Sequence, residues 1–409
     1  LSSSGARRRI PITIFCAGKT LNVMNFFTHL PQLPDDPIFG LTEEFKRDPR
    51  KEKWNLSIGV YRDESLTPLI LNSVKMAERS LLEREKNKEY LPIDGSAFFL
   101  DNIGKSIFTT ATWEAIGTSI AAIQTAGGTH ALRLGGDFLK KYLSTQMLIS
   151  DPAWPNHMGI FDRAGFTILR YPYYDLESAT LEWEKIISTL RQALPQTVVL
   201  FQLCCHNPSG MTFNAKQWEV LADLTQEKGL IPFFDFAYQG FGQGFVEDAA
   251  ALRPFIANQQ EFLVAYSCSK NFSLYCERTG ALFIITRSPQ EREKLQSILK
   301  VLMRTNISNP PAHGARIVEE IFRNPLLHQQ WRDEVEQMRL RLMQIRNEVA
   351  EELSLPHVKR AEGMFAYLHF PPELVQQIKD RGIYMTGDSR INLAALNHEV
   401  LAKLKDAIR

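Results

Sequence analysis

The chain is poor in several features that would have set its class at once. Five cysteines occur in 409 residues, at positions 16, 204, 205, 268 and 276. The number is odd and no spacing repeats in the manner of a zinc site, so a disulfide framework and a structural zinc module are both excluded as organising principles. Cys204 and Cys205 stand side by side in an apolar run, which suits small buried thiols in a reducing compartment. No apolar run approaches the length that spans a bilayer. Charge of one sign is also lacking: 47 Lys and Arg against 46 Asp and Glu leave a net charge of +1, so no broad field points to nucleic acid or an acidic membrane surface. Repeats, low-complexity tracts and metal motifs are missing as well. What is present is ordinary for a folded protein, 44% hydrophobic and 23% charged, with chain enough for two domains and a large core.

Residues 1–23 differ from the rest. They carry Arg7-Arg8-Arg9, several Ser and Thr, and no acidic residue, while the apolar stretch Ile10–Phe15 is too short for a secretory core. The expectation is an upstream extension ahead of a start at Met24 in a cytoplasmic protein, with an organelle transit peptide as the second reading.

Chemistry concentrates between Tyr266 and Gly280. Two apolar, strand-like runs, Glu261–Tyr266 and Ala281–Thr286, flank Lys270, Ser267, Ser269 and Arg278. A loop lysine is ordinarily a solvated surface group. Here Tyr266, Phe272 and Tyr275 surround it, and an apolar setting beside a second cation makes an amine nucleophilic toward carbonyls. Arg278 and the two hydroxyls form a seat suited to a phosphate dianion.

Other candidates recur where apolar runs end. Gly127-Gly128-Thr129 opens a helix running to about Leu143, and free N–H groups at such a start bind anions. A plain turn is the commoner role for such glycines. Gln146–Ser150 leads to Trp154 and His157, and Thr197–Leu203 leads to Asn207-Pro208-Ser209-Gly210, a turn by composition. Asp235 follows the apolar run Leu230–Phe234, with Tyr238 three residues on. An acid there is costly to bury without a cation or donor, so a ligand carrying a protonated nitrogen would satisfy it. Its bland alternative is a helix cap.

The run Ser-Cys-Ser-Lys-Asn-Phe-Ser-Leu-Tyr-Cys-Glu-Arg, ending at Arg278, resembles the cofactor-lysine segment of the aspartate aminotransferases, class I enzymes of fold type I that use pyridoxal 5'-phosphate. Further segments are similar in the same order: Asn-Leu-x-x-Gly-x-Tyr-Arg around Gly59, the Tyr90-Leu-Pro loop, Gly128-Thr129, Asn-Pro-Ser-Gly, Phe-Phe-Asp-x-Ala-Tyr-Gln-Gly, Arg304-x-x-x-Ser-Asn-Pro-Pro, and Arg-Ile-Asn from Arg390. The resemblance covers nearly everything after Met24. It implies an α/β fold, a large domain (69–337) with a mostly parallel sheet covered by helices and a smaller α/β domain from both chain ends (24–68 and 338–409). It also implies a homodimer acting on amino acids and 2-oxo acids. In that scheme Lys270 holds the cofactor as a Schiff base and moves the proton, and Asp235 faces the ring nitrogen. Tyr238 and Asn207 face the ring oxygen, Trp154 stacks on the ring, and Gly128, Thr129, Ser267, Arg278 and the partner copy's Tyr90 hold the phosphate. Gly59, Trp154, Asn207 and Arg390 contact the substrate, and Arg304, lent across the dimer, clamps a distal carboxylate.

Departures from the family pattern are local: His130, Phe236, Ser273, Cys276, Ile307 and Ser389. None replaces a residue with a chemical role. The activity expected is exchange of an amino group between aspartate or glutamate and 2-oxo acids. An aromatic-amino-acid aminotransferase is the neighbouring alternative, and a catalytically silent binding protein is the alternative from another class.

Overall fold

In the computed structural model the apolar runs become neighbours in one seven-stranded sheet. Its order is Ile120–Ala126, Thr279–Ile285, Phe262–Ser267, Ile231–Phe236, Val198–Gln202, Gln146–Asp151 and Thr167–Pro172. Thr279–Ile285 runs antiparallel to both its neighbours, and all other pairings are parallel. The structure describes residues 12–16, 19–23, 27, 30–32 and 37–409, with side chains for 27, 30–32 and 40–409.

A sheet covered on both faces explains why these strands read as continuous apolar runs and not as alternating ones. Phe233 and Leu263 pack into one core with Phe138 and Phe161, whereas their chain neighbours Phe234 and Val264 pack into the other with Phe255 and Trp218. Each such side chain contributes about 1.5–3 kcal/mol through burial. The helix Gly127–Tyr142 follows directly on Ile120–Ala126 and lies against the two strands next to it in the order, burying Ala131, Leu132, Leu134 and Leu139.

The single antiparallel strand has a consequence for function. Six strands end at one edge of the sheet, and Thr279–Ile285 begins there. Thr279 pairs with Ala126 and Gly280 with Ser267, so Arg278 enters beside the two chain segments that precede it on either side. Open α/β sheets keep their ligands at this carboxyl edge.

A long helix, Pro325–Glu352, 28 residues, is opened by the Asn324 side chain accepting from the N–H groups of Leu326 and Leu327. Segments from both ends of the chain meet: Trp54–Asn55 pairs in parallel with Ile383–Tyr384, and Phe365–Tyr367 pairs with Arg390–Asn392. The strand Trp54–Asn55 is only two residues long. Beyond it, the carbonyls of Ile58 and Val60 accept from the Asn392 amide instead of from a neighbouring strand, which leaves Gly59 in irregular backbone. Within the proposed extension, Ile12–Cys16 and Lys19–Val23 form an antiparallel pair, while residues 1–11 and the expected start at Met24 lie outside the described residues. No described helix is long and apolar enough to cross a membrane.

Candidate active site

A cavity of about 400 Å³ opens at the carboxyl edge of the sheet and gathers most of the predicted side chains. Gly59, Gly128, Thr129, Trp154, Asn207, Asp235, Tyr238, Ser267, Lys270, Arg278 and Arg390 all line it. Five strand ends and segments from both ends of the chain therefore deliver one residue set to one space. Tyr90 and Arg304 do not line it. Tyr90 is 80% exposed, and the Arg304 guanidinium donates to Ser308 Oγ (2.5 Å) and Asn309 Oδ1 (3.4 Å) on its own loop.

Asp235 is the fifth residue of Ile231–Phe236, inside the strand, so the helix-cap reading is corrected. Its burial is supported by a partner that composition alone did not demand: His157 Nε2 lies 2.8 Å from Asp235 Oδ2, and the imidazole is 1% exposed. Trp154 stands edge-on to that imidazole at 5.1 Å between ring centroids.

Lys270 Nζ lies 5.3 Å from the centre of the Tyr238 ring. Burial lowers the amine's pKa to about 8; Arg278 pushes the same way, and Asp235 opposes them. At pH 7 roughly a tenth of such an amine is unprotonated, some 300-fold more than for a free lysine. The Tyr238 phenol moves the other way, pushed far up by burial and then by Asp235, so it stays a hydrogen-bond donor.

The anion end is built by close approach. A Cβ on Gly127, whose φ is +79°, would meet Arg278 Nη2 at 2.5 Å, and one on Gly128 would meet Ser267 Cβ at 2.9 Å. Only glycine lets the helix start reach the guanidinium. Arg278 is itself aimed by Nη1 donating to Tyr275 O (3.0 Å) and Ser269 Oγ (3.3 Å). His130, the departure beside Thr129, does not enter the cavity: its Nδ1 accepts the Ala126 N–H at 3.0 Å, folding the ring back onto the helix start.

Arg390 is 3% exposed and fixed from three sides. Nη1 donates to Asn207 Oδ1 (2.9 Å), Nη2 donates to Ser57 O (2.8 Å), and the Phe365 ring lies 4.4 Å away. Its Nε is buried without a partner among the described residues. Sequence reasoning missed Thr42, Ile58, Gln202 and Asn156 in the cavity wall. Thr42 belongs to the helix Pro37–Arg47, remote in sequence from every motif, and no local signal marks it.

A phosphorylated aromatic aldehyde fits this donor set. An anion cradle without room for side chains, a depressed amine, a buried carboxylate and a phenol and amide beside it correspond to its phosphate, aldehyde, ring nitrogen and ring oxygen. A second cluster lies outside the cavity lining, where the Cys204 and Cys205 thiols come within 4.8 Å of an Asp248 oxygen. That carboxylate already accepts the N–H groups of Gly240, Gly242, Gln243 and Gly244, which closes their loop. The four cysteines with described side chains are free.

Comparisons with known proteins agree with the geometry. The aspartate aminotransferase of Escherichia coli (strain K12) is 40% identical over 391 residues, covering 93% of this chain and 99% of that protein. An aromatic-amino-acid aminotransferase of Pseudomonas aeruginosa is 38% identical over 395 residues, covering 94% and 98%. The crystal structure of the Burkholderia pseudomallei aromatic-amino-acid aminotransferase covalently bound to pyridoxal phosphate superposes with a TM-score of 0.91, at 38% identity over 94% of this chain and 99% of that one. The sequence model of the family described as aminotransferase class I and II matches residues 51–408, and the chain belongs to that family.

Proposed function

We propose that the protein is a pyridoxal-phosphate-dependent transaminase exchanging the amino group between L-aspartate or L-glutamate and 2-oxo acids. The observation that carries this reading is one cavity faced at once by the Lys270 amine, the Asp235 carboxylate and the buried Arg390 guanidinium. When bound, the cofactor supplies an electrophilic aldehyde and a ring that accepts the electron pair released at the substrate's α-carbon.

The chain's own residues do the rest. Gly128, Thr129, Ser267 and Arg278 hold the phosphate, with Trp154 against the ring face. Asp235, held by His157, keeps a proton on the ring nitrogen. Tyr238 and Asn207 donate to the ring oxygen. Arg390 pairs with the α-carboxylate near Gly59 and the Trp154 rim. Lys270 Nζ would hold the cofactor through its aldehyde and, once free, would serve as the base and then the acid that moves the substrate's α-proton. An amine with a pKa near 8 suits both halves of that task.

Tyr90 and Arg304 act in the neighbouring copy of a homodimer. Their exposure on their own chain and their distance from their own cavity support that assignment. The described residues from 37 to 68 form, with 338–409, the smaller domain beside 69–337, supported by the pairing of Trp54–Asn55 with Ile383–Tyr384. Free thiols at the four cysteines with described side chains support a reducing, cytoplasmic setting. Relatives named for aromatic amino acids favour a second substrate class.

The test is 2-oxo acid formation from aspartate, glutamate and tyrosine, by the parent protein and by Arg304→Ala. Loss of kcat/KM by about 10²-fold for the dicarboxylates, with tyrosine changed less than threefold, is expected from removing one charge-assisted clamp. Equal loss for all three, or a parent protein inactive on all three, overturns the reading.

A further inference from the structure

Behind the cavity lies a closed set of hydrogen bonds that none of the motifs requires. The Tyr266 hydroxyl donates to Gln239 Oε1 at 2.8 Å and accepts from Asn271 Nδ2 at 2.8 Å, while Asn271 Nδ2 also approaches Gln239 O at 3.2 Å. Tyr266, Gln239 and Asn271 are all 0% exposed. Gln239 is the residue after Tyr238, and Asn271 is the residue after Lys270. The triangle therefore joins the two backbone segments that carry the amine and the phenol facing each other across the cavity.

Its corners are anchored outward. Gln239 Nε2 donates to Ser106 O (2.8 Å) and Phe245 O (3.0 Å). Trp331 Nε1 donates to Asn271 O (2.7 Å), and its ring stacks on Phe272 at 4.3 Å. The long helix Pro325–Glu352 thereby buttresses the lysine loop. A phenylalanine at 266 would fill the same space, so packing does not call for the hydroxyl. Asn271 Oδ1 is buried without a partner among the described residues, but every polar atom of the Tyr266 and Gln239 side chains is bonded, and buried networks of this kind rigidify the segments they join.

We propose that Tyr266 is a positioning residue, and that its hydroxyl, through Gln239 and Asn271, sets the distance between the Lys270 amine and the Tyr238 ring. The proposal rests on the roles assigned above to Lys270 and Tyr238. The charged groups acting on the amine are Asp235 and Arg278, with the Tyr238 ring against it. Loosening the triangle admits water to the amine and returns its proton affinity toward that of a free lysine.

The test uses Tyr266→Phe, which removes one oxygen and keeps the ring. In cofactor-free protein, labelling of Lys270 by an amine-directed acylating reagent is followed by mass spectrometry across pH 6–11. The labelling midpoint is expected to rise by at least half a pH unit. In loaded protein, kcat is expected to fall about tenfold, with KM for the amino donor within twofold. A role in stability alone would lower the melting temperature and leave the midpoint in place; that result overturns the proposal. Should Tyr266→Phe not fold, Asn271→Ser carries the same readout. Lys270→Ala is run alongside: if it retains turnover, the functional reading itself fails, whereas its inactivity beside an unmoved Tyr266→Phe midpoint rejects the triangle only.

Discussion

His157 Nε2 donates to Asp235 Oδ2 across 2.8 Å, joining the helix Pro155–Arg163, which follows one strand, to the interior of another. The bond makes the acid's burial tolerable and orients it toward the cavity. A charge-assisted hydrogen bond of this kind is worth about 1.5–3 kcal/mol. His157→Phe keeps a ring at the site but removes the donor, so the dissociation constant for pyridoxal phosphate should rise about 10- to 100-fold in a fluorescence titration. Asp235→Ala should lose turnover by more than 10³-fold. Unchanged cofactor affinity in His157→Phe would show that the pair is structural only.

The depressed Lys270 amine gives a stability prediction with a definite sign. Its pKa is about 8 in the folded protein against an ordinary 10.5. Between these values the unfolded chain binds more protons, so stability rises with pH across the window. Below pH 8 the buried ammonium costs the cofactor-free protein at most about 3 kcal/mol, reduced by whatever water reaches the cavity. Lys270→Met should therefore melt at a higher temperature than the cofactor-free parent at pH 7. The gap should close between pH 8 and 10.5, and a constant gap would contradict the assigned environment.

Much of this was legible in the sequence because burial on two faces writes strands as unbroken apolar runs, and because the residues at their carboxyl ends stand immediately after those runs. Asp235 and Ser267 were found in that way, as was the Gly127-Gly128 turn. Two kinds of feature were not legible. Thr42 and Ile58 reach the cavity only through the return of the amino-terminal segment onto the carboxyl-terminal strands. The hydrogen bonds from Asn392 to Ile58 and Val60 span 332–334 residues of sequence, so no local pattern shows that a side chain holds this segment in place of a strand ladder. His130 shows the same limit, since nothing in its neighbours reveals that its ring caps the turn it follows.

Arg390 should tolerate no substitution, lysine included. The fork geometry lets one nitrogen bond Asn207 and another bond Ser57 O while the plane lies near Phe365. A lysine offers one point charge and would leave the Asn207 oxygen and the Ser57 carbonyl without that donor pair. Arg390→Lys should reduce kcat/KM by about 10²-fold for aspartate and tyrosine alike, chiefly through KM, in contrast to the selective effect expected of Arg304→Ala. Steady-state assays with both donors distinguish the two clamps.

Ser273 carries backbone strain and leaves its hydroxyl unpaired. Its φ is +52°, in the left-handed region, and its hydroxyl is buried with no partner among the described residues. A β-carbon in that region costs about 1–2 kcal/mol relative to glycine, and an unpaired buried hydroxyl adds to it. The greater freedom of glycine in the unfolded chain offsets part of the gain. Ser273→Gly should thus stabilise the protein by about 1 kcal/mol, read as a small rise in melting temperature. Because the residue lies on the Lys270 loop but outside the cavity lining, kcat should stay within twofold. A fall in melting temperature would mean that the hydroxyl has an unrecognised partner, and a large fall in kcat that the loop depends on the stiffness serine gives it.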